Sequence, residues 1–280
     1  NRYGHKFNAI AQGSFNENAL QAQYIIPGKN PVTDKYSING GLSNLNYNSG
    51  NSSSVTLSLA QQHAVTQYQR ILSINGLTDR YNYYGQNKTQ ESLVYPKAIF
   101  TWSKTSDRLF SPSGYNFTIT GLAANKALLS NISVGQASID GKVAINIEAI
   151  RTRLFLHAIQ GGTSINDIDK MPLSLAQLLG GAENLRGYSY NGIGPGKTLS
   201  YGGIEIQKET FKKWYLTGFF DCGDIYNPTP QQTKYDIGVG LMWVSPLGPI
   251  KVGVAQAVDN HLGRLSNHQP KLVVNMGPDL

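Results

Sequence analysis

Gly180–Gly223 reads GGAENLRGYSYNGIGPGKTLSYGGIEIQKETFKKWYLTGFFDCG, and its alternation decides the fold. A Gly-rich loop carrying Leu185-Arg186-Gly187-Tyr188 leads into two segments that contain Glu205 and Asp221. Side chains alternate between the two faces of a strand. Glu205 therefore shares a face with Tyr201, Gly203 and Gln207, while Ser200, Gly202, Ile204 and Ile206 face the other way. Asp221 falls with Tyr215, Thr217 and Phe219, opposite Trp214, Leu216, Gly218, Phe220 and Cys222. Both carboxylates thus lie on the more polar face. The Arg186 guanidinium, a planar fork of donors, suits a bridge between them. Burying Arg186 and then removing one partner is expected to cost about 3 kcal/mol. Gly187 is expected to let the loop tip turn tightly, with Tyr188 packed on the inner wall.

The rest of the 280-residue chain has the same texture. Charged residues make up only 15%, against 30 Gly and 16 Tyr, which is sparse for a soluble globule. No apolar run approaches the roughly 18–20 residues of a spanning helix. That excludes a helical membrane protein but not a membrane barrel, whose strands present an apolar face to lipid and a polar face to the lumen. The net charge is +7. Its Lys and Arg are scattered and form no basic stripe, which argues against a nucleic-acid partner. They suit a lumen or contact with anionic lipid headgroups. Cys222 is the only cysteine, so there is neither a disulfide framework nor a thiolate metal cluster. It reads as a small apolar residue on the lipid side.

From Gly4 onward, segments of about ten residues are separated by Asn, Gly, Ser and Pro-rich turns. Candidate strands cover 5–15, 18–26, 34–46, 53–65, 68–81, 92–104, 114–124, 131–142, 143–150, 152–162, 198–208, 213–222, 235–245, 249–258 and 270–277. Merging 131–150 into one strand, with a bulge at Asp140-Gly141, gives 14 strands. In 235–245, Ile237, Val239, Leu241 and Trp243 oppose Asp236, Gly238, Gly240 and Met242. In 270–277, Leu272, Val274 and Met276 oppose Lys271, Val273 and Asn275. The one helical signal is Leu173–Gly180. Connections alternate between short (Lys208–Lys213, Pro246-Leu247-Gly248-Pro249) and long (Ile225–Lys234, Asp259–Gln269). By that pattern Thr163–Lys197 is an outer loop, and Gly277-Pro278-Asp279-Leu280 lies in the periplasm. Tyr24, Tyr81, Tyr83, Tyr84, Tyr95, Trp102, Trp214 and Trp243 are placed for interfacial girdles.

Catalysis has little support in the sequence, where a hydrolase would need a Ser/His pair brought together from separate strands. There is no Gly-x-Ser-x-Gly, and His5, His63, His157, His261 and His268 show no metal-ligand spacing. Gly194-Pro195-Gly196 lacks the following Lys-Ser/Thr of a phosphate loop. Asp107–Gly114 reads as a turn of purely geometric importance. Neither a cofactor nor a metal is expected.

The combination of Arg186-Gly187-Tyr188, Glu205 and the strand motif Phe219-Phe220-Asp221-Cys222-Gly223 resembles the outer-membrane protein-assembly barrels that include BamA and TamA. Gly238–Val258, with its Ser-Pro-x-Gly-Pro turn, is similar to the penultimate hairpin of that family. The ending Met276-Gly277-Pro278-Asp279-Leu280 most resembles the TamA barrel, and Asn1-Arg2-Tyr3-Gly4-His5 followed by two amphipathic strands is similar to its third and fourth strands. The resemblance is strong over roughly 180–280 and weaker over 1–180.

It implies an all-β, antiparallel transmembrane barrel of 16 strands, of which about 14 are present. Residues 1–280 would then be one barrel domain with loop 163–197 folded inward, lacking the first two strands and the POTRA repeats. Asn1–Phe7 contains no apolar signal segment, so the chain reads as part of a longer exported precursor. The resemblance further implies a non-enzymatic factor in the Gram-negative outer membrane that helps other outer-membrane proteins and autotransporters to fold. A TamB-like protein anchored in the inner membrane, unfolded clients, lipid bilayer and lipopolysaccharide would be its partners. Lys271, Leu272, Val273, Val274, Asn275, Met276 and Gly277 would form one side of a seam that opens laterally. A BamA-type central subunit, a two-partner secretion transporter and a plain solute pore remain alternatives.

Overall fold

The computed structural model describes residues 4–107, 109–227, 229, 232–258 and 269–280. The approach at Asn1–Tyr3, Arg108, parts of the long connections around 228–231 and 259–268, and with them His261 and His268, lie outside the described residues.

Among the described residues fourteen antiparallel strands follow one another in chain order within a single sheet. They are β1 (Lys6–Gly13), β2 (Glu17–Pro27), β3 (Asp34–Tyr47), β4 (Gly50–Val65), β5 (Tyr68–Tyr83), β6 (Thr89–Thr105), β7 (Gly114–Ala124), β8 (Val134–Ile147), β9 (Thr152–Ile165), β10 (Thr198–Phe211), β11 (Trp214–Tyr226), β12 (Lys234–Ser245), β13 (Gly248–Val258) and β14 (Lys271–Met276). Each strand pairs with its sequence neighbours, as in an up-and-down barrel. Among the described residues β1 and β14 are not hydrogen-bonded to each other.

The burial pattern is inverted relative to a soluble protein. Leu20, Leu42, Leu57, Ile74, Ile206 and Val239 are exposed on the outer face, while Asp79, Glu205, Asp221 and Asp236 are buried inside. An apolar exterior around a polar interior is the pattern of a transmembrane barrel. Among the described residues no helix is long and apolar enough to cross a membrane, and in a barrel every backbone group of the wall is satisfied by its neighbours.

Several expectations need correction. Residues 134–147 do form one strand, but Asp140 and Gly141 stay in continuous register with β7 and β9, so there is no bulge. Leu173–Gly180 is not helical beyond a single 3-10 turn, Leu173–Leu175. Its Leu and Ala side chains pack on a wall that offers partners to an extended chain. β9 runs to Ile165, so the inward loop spans 166–197 rather than 163–197. Connections do not alternate strictly in length, since residues 14–16 and 48–49 make tight hairpins at the same end as that loop.

The aromatic girdle is only partly on the outside. Tyr81, Tyr83 and Tyr95 are buried inward, where their parity puts them under the loop. Trp102, Trp214 and Trp243 do face outward, and the Trp214 and Trp243 rings stack at 5.9 Å between centroids.

Candidate functional site

Loop 166–197 folds back into the space enclosed by the sheet, and its seat is built from the strands upward. β10 and β11 pair so that Gly203 lies opposite Asp221 and Glu205 opposite Phe219. Glu205 and Asp221 are therefore diagonal neighbours on the inner face, within reach of one guanidinium. Gly203 leaves the space that Asp221 occupies, for a Cβ there would lie 2.6 Å from Asp221 Oδ1.

The loop tip is prepared before it arrives. Leu179 and Ile193 exchange backbone hydrogen bonds of 3.0 Å each way, closing residues 180–192 into a lariat. Asn184 Oδ1 accepts the Gly180 N–H at 2.7 Å. Leu185 is fully buried with Leu179, Ile193, Leu199 and Tyr201.

Arg186 then makes the central junction. Its Nε donates to Asp221 Oδ2 at 2.8 Å and its Nη2 to Asp221 Oδ1 at 3.0 Å, while Nη1 donates to Glu205 Oε2. Its guanidinium also lies over the Phe219 ring, 3.5 Å from the centroid. A bidentate, charge-assisted pair of this kind is among the stronger hydrogen-bonded contacts. Both carboxylates are almost fully buried, and unpaired they would be costly in that environment. Tyr201 donates its hydroxyl to Asp221 Oδ1 at 3.0 Å, and Gln207 donates to Glu205 Oε1 at 2.6 Å.

Gly187 has a different role from the one expected. The positive φ at the tip belongs to Leu185, at +42°, and not to Gly187. What Gly187 supplies is clearance. A Cβ there would lie 2.7 Å from Asp236 Cβ and 2.8 Å from the Ala257 nitrogen. The bare backbone lets its N–H reach Asp236 Oδ2 at 3.0 Å. Tyr188 is partly buried beside the Leu185 cluster and donates its hydroxyl to the Tyr235 carbonyl at 3.3 Å.

In the strand motif, Phe219 faces inward across Gly238 of β12, where a side chain would collide with the ring. Phe220 faces outward and stacks on Tyr235 at 6.1 Å. Gly223 faces inward, where a Cβ would meet Leu179 Cδ1 of the loop at 3.3 Å. Of the last-strand residues, Lys271–Met276 form β14, with Val273 buried. Gly277 is not part of it, because at φ +126° it turns the chain off the strand.

Several residues that sequence reasoning did not single out complete the seat. Asp79 on β5 is a second anchor for the loop. Its Oδ2 accepts both the backbone N–H (3.1 Å) and the hydroxyl (2.7 Å) of Ser174, and its Oδ1 accepts Ser52 Oγ at 2.5 Å. Tyr83 donates to the Met171 carbonyl at 2.5 Å. Asp236 sits directly across from Asp221 on β12. Its second oxygen finds no hydrogen-bond donor among the described residues.

Lys251 on β13 donates to Glu205 Oε1 at 2.9 Å and lies 3.5 Å from Asp279 Oδ2. Arg153 on β9 grips Asp279 with two nitrogens, at 2.7 and 3.1 Å. Burial pushes the Asp279 carboxyl up, but Lys251 and Arg153 outweigh it and hold that carboxyl below the ordinary carboxylate range. The turn 107–114 is also more than geometry, because its Ser111 and Pro112 carbonyls accept from Arg153. Inward parity on a strand was the available signal for Asp79, Arg153 and Lys251. Nothing in the sequence paired them with partners so far away along the chain.

Among the described residues no group of His, Cys, Asp and Glu is arranged to hold a metal ion. What the arrangement does is fasten a loop to both walls of the lumen. Arg186 and Gly187 hold β10–β12, Ser174 holds β5, and Ser49 Oγ donates to the Asn191 carbonyl at 2.7 Å.

A solved structure shares this architecture. BamA from Haemophilus ducreyi lacking POTRA domains 1–3 superposes with a TM-score of 0.79 at 13% identity, over 98% of this chain and 65% of that one. The chain thus spans just under two thirds of that protein's length. CdiB from Acinetobacter baumannii matches at 11% identity and a TM-score of 0.46, over 96% of this chain and 57% of that one. The siderophore receptor PirA from Pseudomonas aeruginosa matches at 13% identity with the same TM-score, over 91% of this chain and 42% of that one. The model of the Omp85 superfamily domain matches residues 3–273. With the sheet, the inward loop and that match in agreement, the chain belongs to the Omp85 superfamily.

Proposed function

We propose that this chain is the barrel of a TamA-like translocation and assembly factor in a Gram-negative outer membrane. It would be a non-enzymatic protein that assists other outer-membrane proteins and autotransporters to insert. The observation that carries this reading is the lumen loop, keyed by Arg186 to Asp221 and Glu205 in a chain of the Omp85 superfamily. A loop bound to both walls fills space that a plain solute pore would leave open. The TamA-like form, rather than a BamA-type subunit or a dedicated secretion transporter, is supported by the likeness of the Gly277-Pro278-Asp279-Leu280 ending.

In this reading the loop end faces outward and the C-terminus faces the periplasm, where a TamB-like partner would dock. Unfolded clients would meet β14 as one side of a weakly paired seam, within lipid and lipopolysaccharide. β14 has six residues against 16 or 17 in β4, β5 and β6. An edge strand offers unpaired backbone groups to an incoming strand, and a shorter wall thins the bilayer beside it.

The deciding experiment compares the outer-membrane proteomes of cells expressing the full-length protein and its Arg186→Ala variant at matched levels. Selective loss of a few barrel proteins or autotransporters is the expected result. An unchanged proteome together with altered solute permeability would make the barrel a pore and end the assembly reading.

A further inference from the structure

Arg153 is 1% exposed on β9 and reaches the Arg186 junction through Gln207, which also donates to Glu205. Its five N–H donors all have acceptors. Nε donates to the Pro112 carbonyl (3.1 Å), Nη1 to Gln207 Oε1 (2.9 Å) and Asp279 Oδ2 (2.7 Å), and Nη2 to the Ser111 carbonyl (3.0 Å) and Asp279 Oδ1 (3.1 Å). Phe110 and Phe155 flank the guanidinium at 4.9 and 5.6 Å from their centroids. Three of the five acceptors belong to the wall and its turn. They fix the fork in place and leave its remaining edge for one carboxylate, the geometry that bidentate recognition needs.

The carboxylate arrives from far away in the fold. Gly277 turns the chain inward off β14 while its N–H bonds the Pro249 carbonyl at 3.0 Å. Two residues on, Asp279 enters the fork. It is the only counter-charge the described residues place on Arg153. Without it the buried cation would keep only neutral acceptors, a costly state. β14 needs such a tether, because it is short and pairs only with β13 among the described residues, and unsupported ends of that kind fray. Its opposite end is also held by something other than a strand, since Lys271 Nζ donates to Ser189 Oγ of the loop at 3.0 Å. Lys251 stands between the two systems, bonded to Glu205 of the loop junction and 3.5 Å from Asp279.

We infer that Arg153 and Lys251 form a carboxylate socket for Asp279. The seated tail is a latch that fixes the end of β14 to the β9 wall and, through Lys251, ties it to the loop junction. Asp279, Arg153 and Lys251 are positioning residues in this scheme. The latch is a property of the barrel alone, so it stands or falls independently of the assembly role.

The test is amide hydrogen exchange on the full-length protein in lipid nanodiscs, comparing native, Asp279→Asn and Asp279→Glu. Asparagine keeps the size and removes the charge. Exchange across 271–276 is expected to accelerate about tenfold in Asp279→Asn, with β4 and β5 unchanged and the Glu variant close to native. No acceleration across 271–276, or an equal rise in every strand, would overturn the latch. Should Asp279→Asn fail to fold, Lys251→Gln provides the same contrast. Faster exchange in both 271–276 and 185–188 supports the coupling, and native rates in both would refute it.

Discussion

The two walls of this barrel solve the same problem with different chemistry. On β2–β4 the inner face is neutral along most of its length: Gln21, Gln23, Ser37, Asn39, Ser43, Ser54 and Ser58, with charges only near the ends at Glu17 and Lys35. Its members hydrogen-bond one another, as Ser43 with Ser54 at 2.8 Å and Asn39 Nδ2 with Ser58 Oγ at 3.0 Å. On β9–β13 the inner face is charged and buried, with Arg153, Glu205, Asp221, Asp236 and Lys251. The difference follows the loop. Away from the loop's anchors, hydroxyls and amides bonded to one another suffice. Where a loop must be held against water, paired charges provide both strength and register, because a wrong placement leaves them unsatisfied.

The contrast can be broken from either side. Asp221→Ala removes two of the three carboxylate oxygens that Arg186 grips and leaves only Glu205, and it should weaken loop anchoring by about 3–5 kcal/mol. Limited proteolysis within 180–192 should then become rapid while the folded barrel keeps its heat-modifiable gel mobility. Gly187→Ala pushes a methyl into Asp236 and Ala257 and should cost about 1–3 kcal/mol, read as the same proteolysis at a slower rate.

A milder perturbation is pH. The folded-state Asp279 carboxyl titrates below its unfolded value, so its contribution is present above the unfolded pKa and disappears as pH falls through the folded one. Exchange at 271–276, corrected for intrinsic rates, should accelerate in that acidic window and stay flat near neutrality. Smallest of all is Ser43→Ala on the neutral wall, about 0.5–1 kcal/mol with no change in the loop. A loop response to Ser43→Ala as large as that to Asp221→Ala would erase the distinction between the walls.

Much of this was legible from residue order because strand parity is a local property. Glu205 and Asp221 could be put on one face, and Phe220 and Cys222 on the other, from the period of two alone. The parity of Tyr81, Tyr83 and Tyr95 was equally available, but position near a strand end says nothing about which face meets lipid. Leu173–Gly180 misled because its Leu and Ala pattern suits a helix, whereas the wall supplies extended-chain partners. Gly187 reads in the sequence as the residue of a tight turn, whereas its constraint comes from Asp236 and Ala257, residues known to be near only once the sheet is assembled. Arg153 and Asp279 lie on opposite flanks of the loop and the last five strands, and no local pattern joins them.

The lariat closed by Leu179 and Ile193 has a mechanical consequence. Because the stem closes residues 180–192 into a ring and Leu185 packs on both stem residues, the loop should leave its seat as a plug leaves a socket rather than peeling away residue by residue. Its motion should therefore be a discrete step, with one shared exchange rate across 180–192. A gradient of rates from the two ends inward would mean that the stem opens first.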